Sequence, residues 1–243
     1  MSKSLVTSAG MQLNRILQKF GAQLTRFPAR ADRRRRQLMH TRGISTVVDI
    51  GANAGQYALL LRKLGYRGRI LSFEPLPDVF EQLSAQSASD ALWSVRRCAI
   101  ADESGHLSMN VAHNSVSSSL LEMADRHVEA APESHIVGSV SVECVPLSSV
   151  LQELLGNPVL VKIDTQGFEK NVLLSGAQLL SSVALFELEM SFVELYRGQA
   201  LFWEIHALMT GVGFRLVSIE EGFFDETTGE LLQCDAIYAR ADT

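Results

Sequence analysis

Short β-branched runs alternate with amphipathic stretches along most of this chain. Strand-like runs fall at 46–50, 69–73, 92–99, 158–164, 183–189, 213–219 and 231–239. Between them, 56–65, 77–86, 168–180 and 199–211 have helical periodicity. Strand and helix in alternation predict an α/β fold: a mostly parallel, doubly wound sheet with helices on both faces. Two further β-like stretches, 106–112 and 139–145, bracket a polar segment without a clear period. They read as an insertion, about 106–145, packed over one end of the sheet and contributing to a substrate site.

Ahead of this pattern, Leu13, Ile16, Leu17, Phe20, Leu24 and Phe27 lie at helical spacing, with Asn14, Arg15, Gln18, Lys19 and Gln23 opposite. This predicts an amphipathic helix over 11–27, stopped by Pro28. A basic stretch from Arg30 to Arg42 links it to the first strand. The expected organisation is an arm, 1–42, and a single domain, 43–243.

Composition narrows the class. The 243 residues are 47% hydrophobic and 20% charged, too apolar for disorder. The net charge of −5 hides a division: residues 1–42 carry +9 and residues 43–243 carry −14. An acidic body is a poor nucleic-acid binder, because such binding rests on neutralising phosphates. The basic arm alone could engage an anionic surface. Cys98, Cys144 and Cys234 form no C-x-x-C pair, which fits idle thiols in a reducing compartment. No run of 18 apolar residues appears, and no signal-peptide pattern either. A cytoplasmic protein is expected, with peripheral contact at the inner membrane face through residues 1–42 as an extension.

The chemistry concentrates after the first strand, in Val47-Val48-Asp49-Ile50-Gly51-Ala52-Asn53-Ala54-Gly55. A dinucleotide fingerprint would need Gly at 51, 53 and 56, but Asn53 and Gln56 stand there. The spacing is D-x-G-x-x-x-G. Its glycines permit a tight turn and close ligand approach, and Asp49 suits a ligand carrying an ammonium group. That combination points to S-adenosylmethionine (SAM) and not to a pyrophosphate. Glu74, ending the second strand in Phe73-Glu74-Pro75, is placed to accept from both ribose hydroxyls. Asp102, beyond the third strand, could accept from an adenine amine or simply open a turn.

A fourth cluster, Lys162-Ile163-Asp164-Thr165-Gln166-Gly167-Phe168-Glu169, completes a pattern that resembles the FkbM family of SAM-dependent methyltransferases. That family shows a D-x-G-x-N-x-G turn, here including Asn53, an F-E-P strand end, and a K-I-D-x-E-G-x-E segment. A later strand with acidic residues follows, as in Phe186-Glu187-Leu188-Glu189. The resemblance spans about residues 46–240 and implies a class I methyltransferase fold: a seven-stranded sheet with an antiparallel last strand. Gln166 stands where the family usually has Glu, which removes a charge and speaks against a metal or general-base role there.

What the resemblance implies is methyl transfer from SAM, most often to a hydroxyl of a sugar or glycosylated natural product. Such transfer needs in-line approach, exclusion of water and one base. Asp164 is the favoured base. Of Glu187 and Glu189, Glu189 is nearer the end of their strand and is the one expected to line the site. Glu169 could equally stabilise the helix it begins. His113, His127 and His135 lie in or beside the insertion, where a histidine could also act as base. The polar tract Asn114 to Ser119 suits a hydroxyl-rich ligand or a loop. No metal-ligand spacing appears, so no metal is expected. The acceptor is expected to be a small-molecule or lipid-linked sugar. Two alternatives stay open: a non-catalytic SAM-fold scaffold at a membrane, and a metal-dependent small-molecule O-methyltransferase.

Overall fold

The computed structural model describes residues 17, 19 and 27–241. The helix expected over 11–27 therefore falls almost entirely outside the described residues. The chain divides into two compact units, residues 1–37 and 38–243. The basic stretch after Pro28 is not a linker as expected from sequence: Arg30–Thr41 is a helix, α1. Its Arg, Gln, Leu and Met residues are good helix formers, and Asp32 in the first turn accepts from Arg35 Nη1 at 2.9 Å. Among the described residues, no helix is long and apolar enough to cross a membrane.

The second unit is built on a seven-stranded sheet. Its strands are β1 (Thr46–Ile50), β2 (Arg69–Phe73), β3 (Trp93–Arg96), β7 (Val159–Ile163), β8 (Leu185–Ser191), β9 (Phe214–Glu221) and β10 (Gln233–Arg240). Their spatial order is β3-β2-β1-β7-β8-β10-β9, with β10 antiparallel to both neighbours and the other pairings parallel. This is the sheet of a class I methyltransferase. The central strand β1 is buried along its whole length, as a parallel strand covered on both faces must be. Helices α2 (Gln56–Lys63) and α3 (Pro77–Ser87) connect β1 to β2 and β2 to β3. Two short helices, α5 (Leu147–Gln152) and α6 (Glu169–Ser175), flank β7, and α7 (Phe202–Gly211) leads into β9. Two large apolar clusters flank the sheet, and a smaller third one surrounds Tyr196. One large cluster is centred on Val48, Ile50, Val161 and Phe186, the other on Val47, Ala58, Ile70 and Leu160. Neighbouring residues on β1 thus enter different clusters, which is the two-residue period of a strand between two helical layers.

One strand differs from expectation. Residues 92–99 do not form a single strand: β3 ends at Arg96, and Ala99–Ile100 (β4) pairs instead with β6 (Ile136–Val145). β6 also pairs antiparallel with β5 (Gly105–Ala112), giving a second sheet of order β4-β6-β5. The polar segment between β5 and β6 folds into a 3₁₀ turn at 115–117, helix α4 (Asp125–Ala130) and a second turn at 132–134. The apolar content of the segment is too sparse to show a period. The 3₁₀ turns and six-residue helix there are too short to show one either.

The Gly-rich turn owes part of its composition to packing. Gly55 caps the start of α2 in a left-handed conformation, φ 91°. A Cβ there would lie 2.8 Å from the Trp93 ring and 3.0 Å from Leu83. Trp93 cannot retreat freely, because its indole N–H donates to Ser72 Oγ at 3.0 Å. Gly55→Ala is therefore expected to lower stability by about 2–4 kcal/mol, from left-handed backbone strain and overpacking together. Urea unfolding of the variant beside the parent chain measures this.

Candidate active site

Three strand ends meet where the strand order reverses, with β2 and β7 on opposite sides of β1. In open α/β sheets a ligand crevice forms at such a point. The ends are tied together by backbone hydrogen bonds. Gly51 and Ala52 N–H donate to the Phe73 carbonyl at 3.1 and 2.9 Å, and Asp164 N–H donates to the Ile50 carbonyl at 3.1 Å. Gly51 has φ 76°, and a Cβ at this position would overlap the Asp164 carbonyl oxygen. No other residue lets these two ends come so close.

Glu74 organises the first crevice. It is 4% exposed, and its Oε2 accepts from Asn53 N–H at 3.0 Å while Oε1 accepts from Leu76 N–H at 2.9 Å. Each oxygen keeps a lone pair for a ligand hydroxyl. Burial pushes its pKa up to about 7 against those two hydrogen bonds. Asn53 takes a left-handed conformation, φ 46°, and its Nδ2 donates to Ser115 Oγ at 3.0 Å, joining the turn to the inserted segment. The walls of the crevice include Gly51, Phe73, Glu74, Leu76, Ile100 and Met109.

Behind the strand ends sits a buried charge cluster. Lys162 Nζ donates to Asp164 Oδ2 at 2.9 Å and lies 4.0 Å from Asp49 Oδ1. Burial opposes the lysine charge, but the Asp164 and Asp49 carboxylates outweigh it and hold the ammonium protonated. Asp49 is fully buried; Ser72 Oγ donates to its Oδ2 at 3.2 Å, and its Oδ1 has no hydrogen-bond partner. Burial pushes its pKa up to about 6, against Lys162.

Gln166 forms the centre of a second network. It too is left-handed, φ 54°, a strain that costs about 1–3 kcal/mol and clusters at functional sites. Its Nε2 donates to Asp164 Oδ1 at 2.8 Å and to Glu189 Oε2 at 2.7 Å, while Tyr196 OH lies 2.8 Å from its Oε1. Gln233 Nε2 also donates to Glu189 Oε2, at 3.0 Å. Burial raises the Glu189 pKa well above the carboxylate range, helped by the charges of Asp164, Glu169 and Asp235. A second crevice opens here beneath the inserted segment. Asp164, Gln166 and Val116 line both crevices and are the wall between them.

The structure brings Gly51, Asn53, Glu74 and Asp164 to the first crevice and Asp164 and Glu189 to the second. It does not bring Asp102 there: that side chain is exposed and accepts from Asn171 Nδ2 at 3.2 Å. The chain leaves the main sheet after Arg96, so Cys98, Ala99 and Ile100 form the wall where Asp102 was expected. Gly55 serves helix packing, as shown above, and does not line a crevice. Asp49 lies behind the wall. Glu187 lies two residues before Glu189 on the same face of β8, further from the strand's carboxyl end, where it accepts from Tyr57 OH at 2.7 Å. Glu169 accepts from Thr165 N–H at 2.8 Å and Gly167 N–H at 3.2 Å, and so fixes the Asp164–Gly167 turn. His127 lies in the second crevice; His113 and His135 stack on each other at 5.3 Å, exposed. Sequence reasoning gave Lys162 no role beyond its place in the Lys162–Glu169 motif, and missed Tyr196 and Gln233. Only Lys162 left a signal, as a lysine inside an otherwise apolar strand. Among the described residues, no group of three or more His, Cys, Asp or Glu side chains is placed to hold a metal.

Comparison with known proteins bears on this geometry. Methyltransferase sdnD of Sordaria araneosa is 30% identical over 151 residues, covering 52% of this chain and 58% of that protein. The chain thus spans little more than half the length of that relative. Likeness to solved structures is distant. The fibrillarin pre-rRNA processing protein of Methanococcus jannaschii superposes with a TM-score of 0.47 at 10% identity, covering 82% of this chain and 68% of that one. Precorrin-6y C5,15-methyltransferase of Geobacter metallireducens gives 0.45 at 11%, covering 85% and 87%. The fold therefore rests on the sheet order described above. The profile of the methyltransferase FkbM domain matches residues 49–216, which span the turn after β1, Glu74, and the Asp164–Gln166–Glu189 network. With more than half its length matched in this way, the chain belongs to the FkbM family of SAM-dependent methyltransferases.

Proposed function

We propose that this chain transfers a methyl group from SAM to a hydroxyl oxygen of a sugar or sugar-like acceptor. The observation that carries the reading is the shared wall: two crevices separated only by Asp164, Gln166 and Val116. A methyl donor in the first and an acceptor in the second would meet at the Asp164 carboxylate.

The first crevice fits the donor. Glu74 offers free lone pairs to a ribose diol, Phe73, Leu76, Ile100 and Met109 offer apolar surface to a purine, and Gly51 bares its backbone. When bound, SAM supplies an electrophilic methyl group on a sulfonium. The chain's own residues then have three tasks. The strand ends and the inserted segment hold the reactants in one orientation and keep water out, which accounts for much of the rate gain in such reactions. Asp164, held on one side by Lys162 and on the other by Gln166, receives the acceptor's hydroxyl proton as its oxygen takes the methyl group. Gln166 ties Asp164 to Glu189 without adding charge.

Three measurements test this. Titration calorimetry of the purified protein is expected to show binding of SAM and S-adenosylhomocysteine; no heat from folded protein would overturn the reading. The Glu74 pKa of about 7 sets a pH dependence. Below it the carboxyl is neutral and a poorer acceptor, so S-adenosylhomocysteine should bind about tenfold more weakly at pH 6 than at pH 8. Glu74→Gln should bind weakly at both. Finally, Asp164→Asn should lower label transfer from SAM into extract acceptors by about 10²–10⁴ while changing SAM affinity little. Unchanged transfer would remove Asp164 from the mechanism.

A further inference from the structure

Beneath the inserted segment, the second crevice holds two polar atoms that the protein leaves unpaired. His127 is 3% exposed, and its Nδ1 is buried without a hydrogen-bond partner. Asn114 Oδ1 is likewise buried and unpartnered, although the same amide donates through Nδ2 to Ser134 Oγ at 2.9 Å. Both side chains line the crevice. A buried polar atom left unpaired has lost its water without gaining a partner, a cost that a ligand hydrogen bond removes. Two in one crevice point to a ligand that does so.

Neither is there by loose packing. The His127 ring meets Tyr196 edge-on at 5.1 Å and lies against Phe223 at 5.6 Å. Tyr196 in turn contacts Gln166, so this ring is mechanically connected to the residue that positions Asp164. Burial pushes the His127 pKa down to about 4, against the charge of Glu133, and the ring is neutral at physiological pH.

The unpaired atoms define the partner's chemistry. Asn114 Oδ1 can only accept. Nδ1 of a neutral imidazole accepts or donates according to its tautomer. A hydroxyl satisfies both atoms in either tautomer, whereas a phosphate or carboxylate oxygen offers no proton to Asn114. Charge points the same way: Glu133, Asp164 and Glu189 line the crevice, and no Lys or Arg does. Asp164 is paired with Lys162 and Glu189 is held toward its neutral form, so the selection comes from the missing cation: an anion would be desolvated there with no Lys or Arg to pair with.

We infer that His127 and Asn114 are specificity-determining contacts for an uncharged polyhydroxylated ring, held by its hydroxyls, with phosphorylated and carboxylated counterparts rejected. This rests on the methyl-transfer reading for its purpose, but the selection itself belongs to the crevice. A site built to hydrogen-bond hydroxyls discriminates strongly against groups that leave its polar atoms unpaired.

The test is a panel of methyl hexopyranosides set against glucose 6-phosphate and methyl glucuronide. Binding is read by saturation-transfer NMR on the full chain, with and without S-adenosylhomocysteine. At least one neutral glycoside is expected to bind tenfold or more tightly than either anion. His127→Phe should weaken that glycoside at least tenfold and change S-adenosylhomocysteine affinity less than twofold. Asn114→Ala, which leaves the buried aromatic contacts intact, is the second variant and should weaken it several-fold. Equal or tighter binding of an anion, no binding of any neutral glycoside, or parental glycoside affinity in both variants would overturn the inference. Failure of S-adenosylhomocysteine to bind would instead overturn the methyl-transfer reading, and the cofactor-free titration would still decide the crevice's preference.

Discussion

The approach of Gly51 to the Asp164 carbonyl is the constraint on which the rest of the site depends. A side chain at residue 51 would force the ends of β1 and β7 apart. The hydrogen bond from Asp164 N–H to the Ile50 carbonyl would then be lost, and with it the register that places Asp164 beside the turn. Because β2 is tied to the same turn through Phe73, Glu74 would move as well. One missing Cβ thus fixes both the residue that faces the first crevice and the residue that separates it from the second.

Electrostatics builds on that closeness. Asp49 and Asp164 are brought near each other by adjacent strands, and β1–β7 pairing puts Lys162 opposite Asp49. One buried ammonium between two carboxylates leaves the cluster short of neutral, and desolvation by burial outweighs that ammonium and raises the Asp49 pKa. A third carboxylate at residue 166 would add repulsion where Glu189 is already pushed toward its neutral form. The amide of Gln166 instead donates to both acids at once. The departure from the usual family residue therefore changes the network's charge while keeping its shape, and it leaves Asp164 as the acid common to both crevices.

Much of this was legible along the chain. The run from Val47 to Gly55, Phe73-Glu74-Pro75 and Lys162 to Glu169 each place chemistry at the end of a buried strand, and strand ends in such sheets converge on one edge. Burial of parallel strands on both faces writes long apolar runs into the sequence, so strands and order-determining motifs could be read. The polar insert could not, because its short helix and turns draw their apolar contacts from elsewhere in the fold. Asp102 shows the same limit: nothing local marks Arg97 as the point where the chain changes sheets.

By itself, the sequence determined the class of sheet, the turn after its first strand, and the acids at its strand ends. These follow from periodicity and from backbone demands that only certain residues meet. The tertiary structure alone decided what those residues face. Glu187 and Glu189 share one face of β8, yet one bonds Tyr57 and the other bonds Gln166 at the crevice. His127, Asn114, Tyr196 and Gln233 come from four separated segments, and their meeting depends on how the inserted sheet folds back over the main one. Such contacts have no period and no spacing, because they arise between segments whose positions are set by packing and not by local sequence.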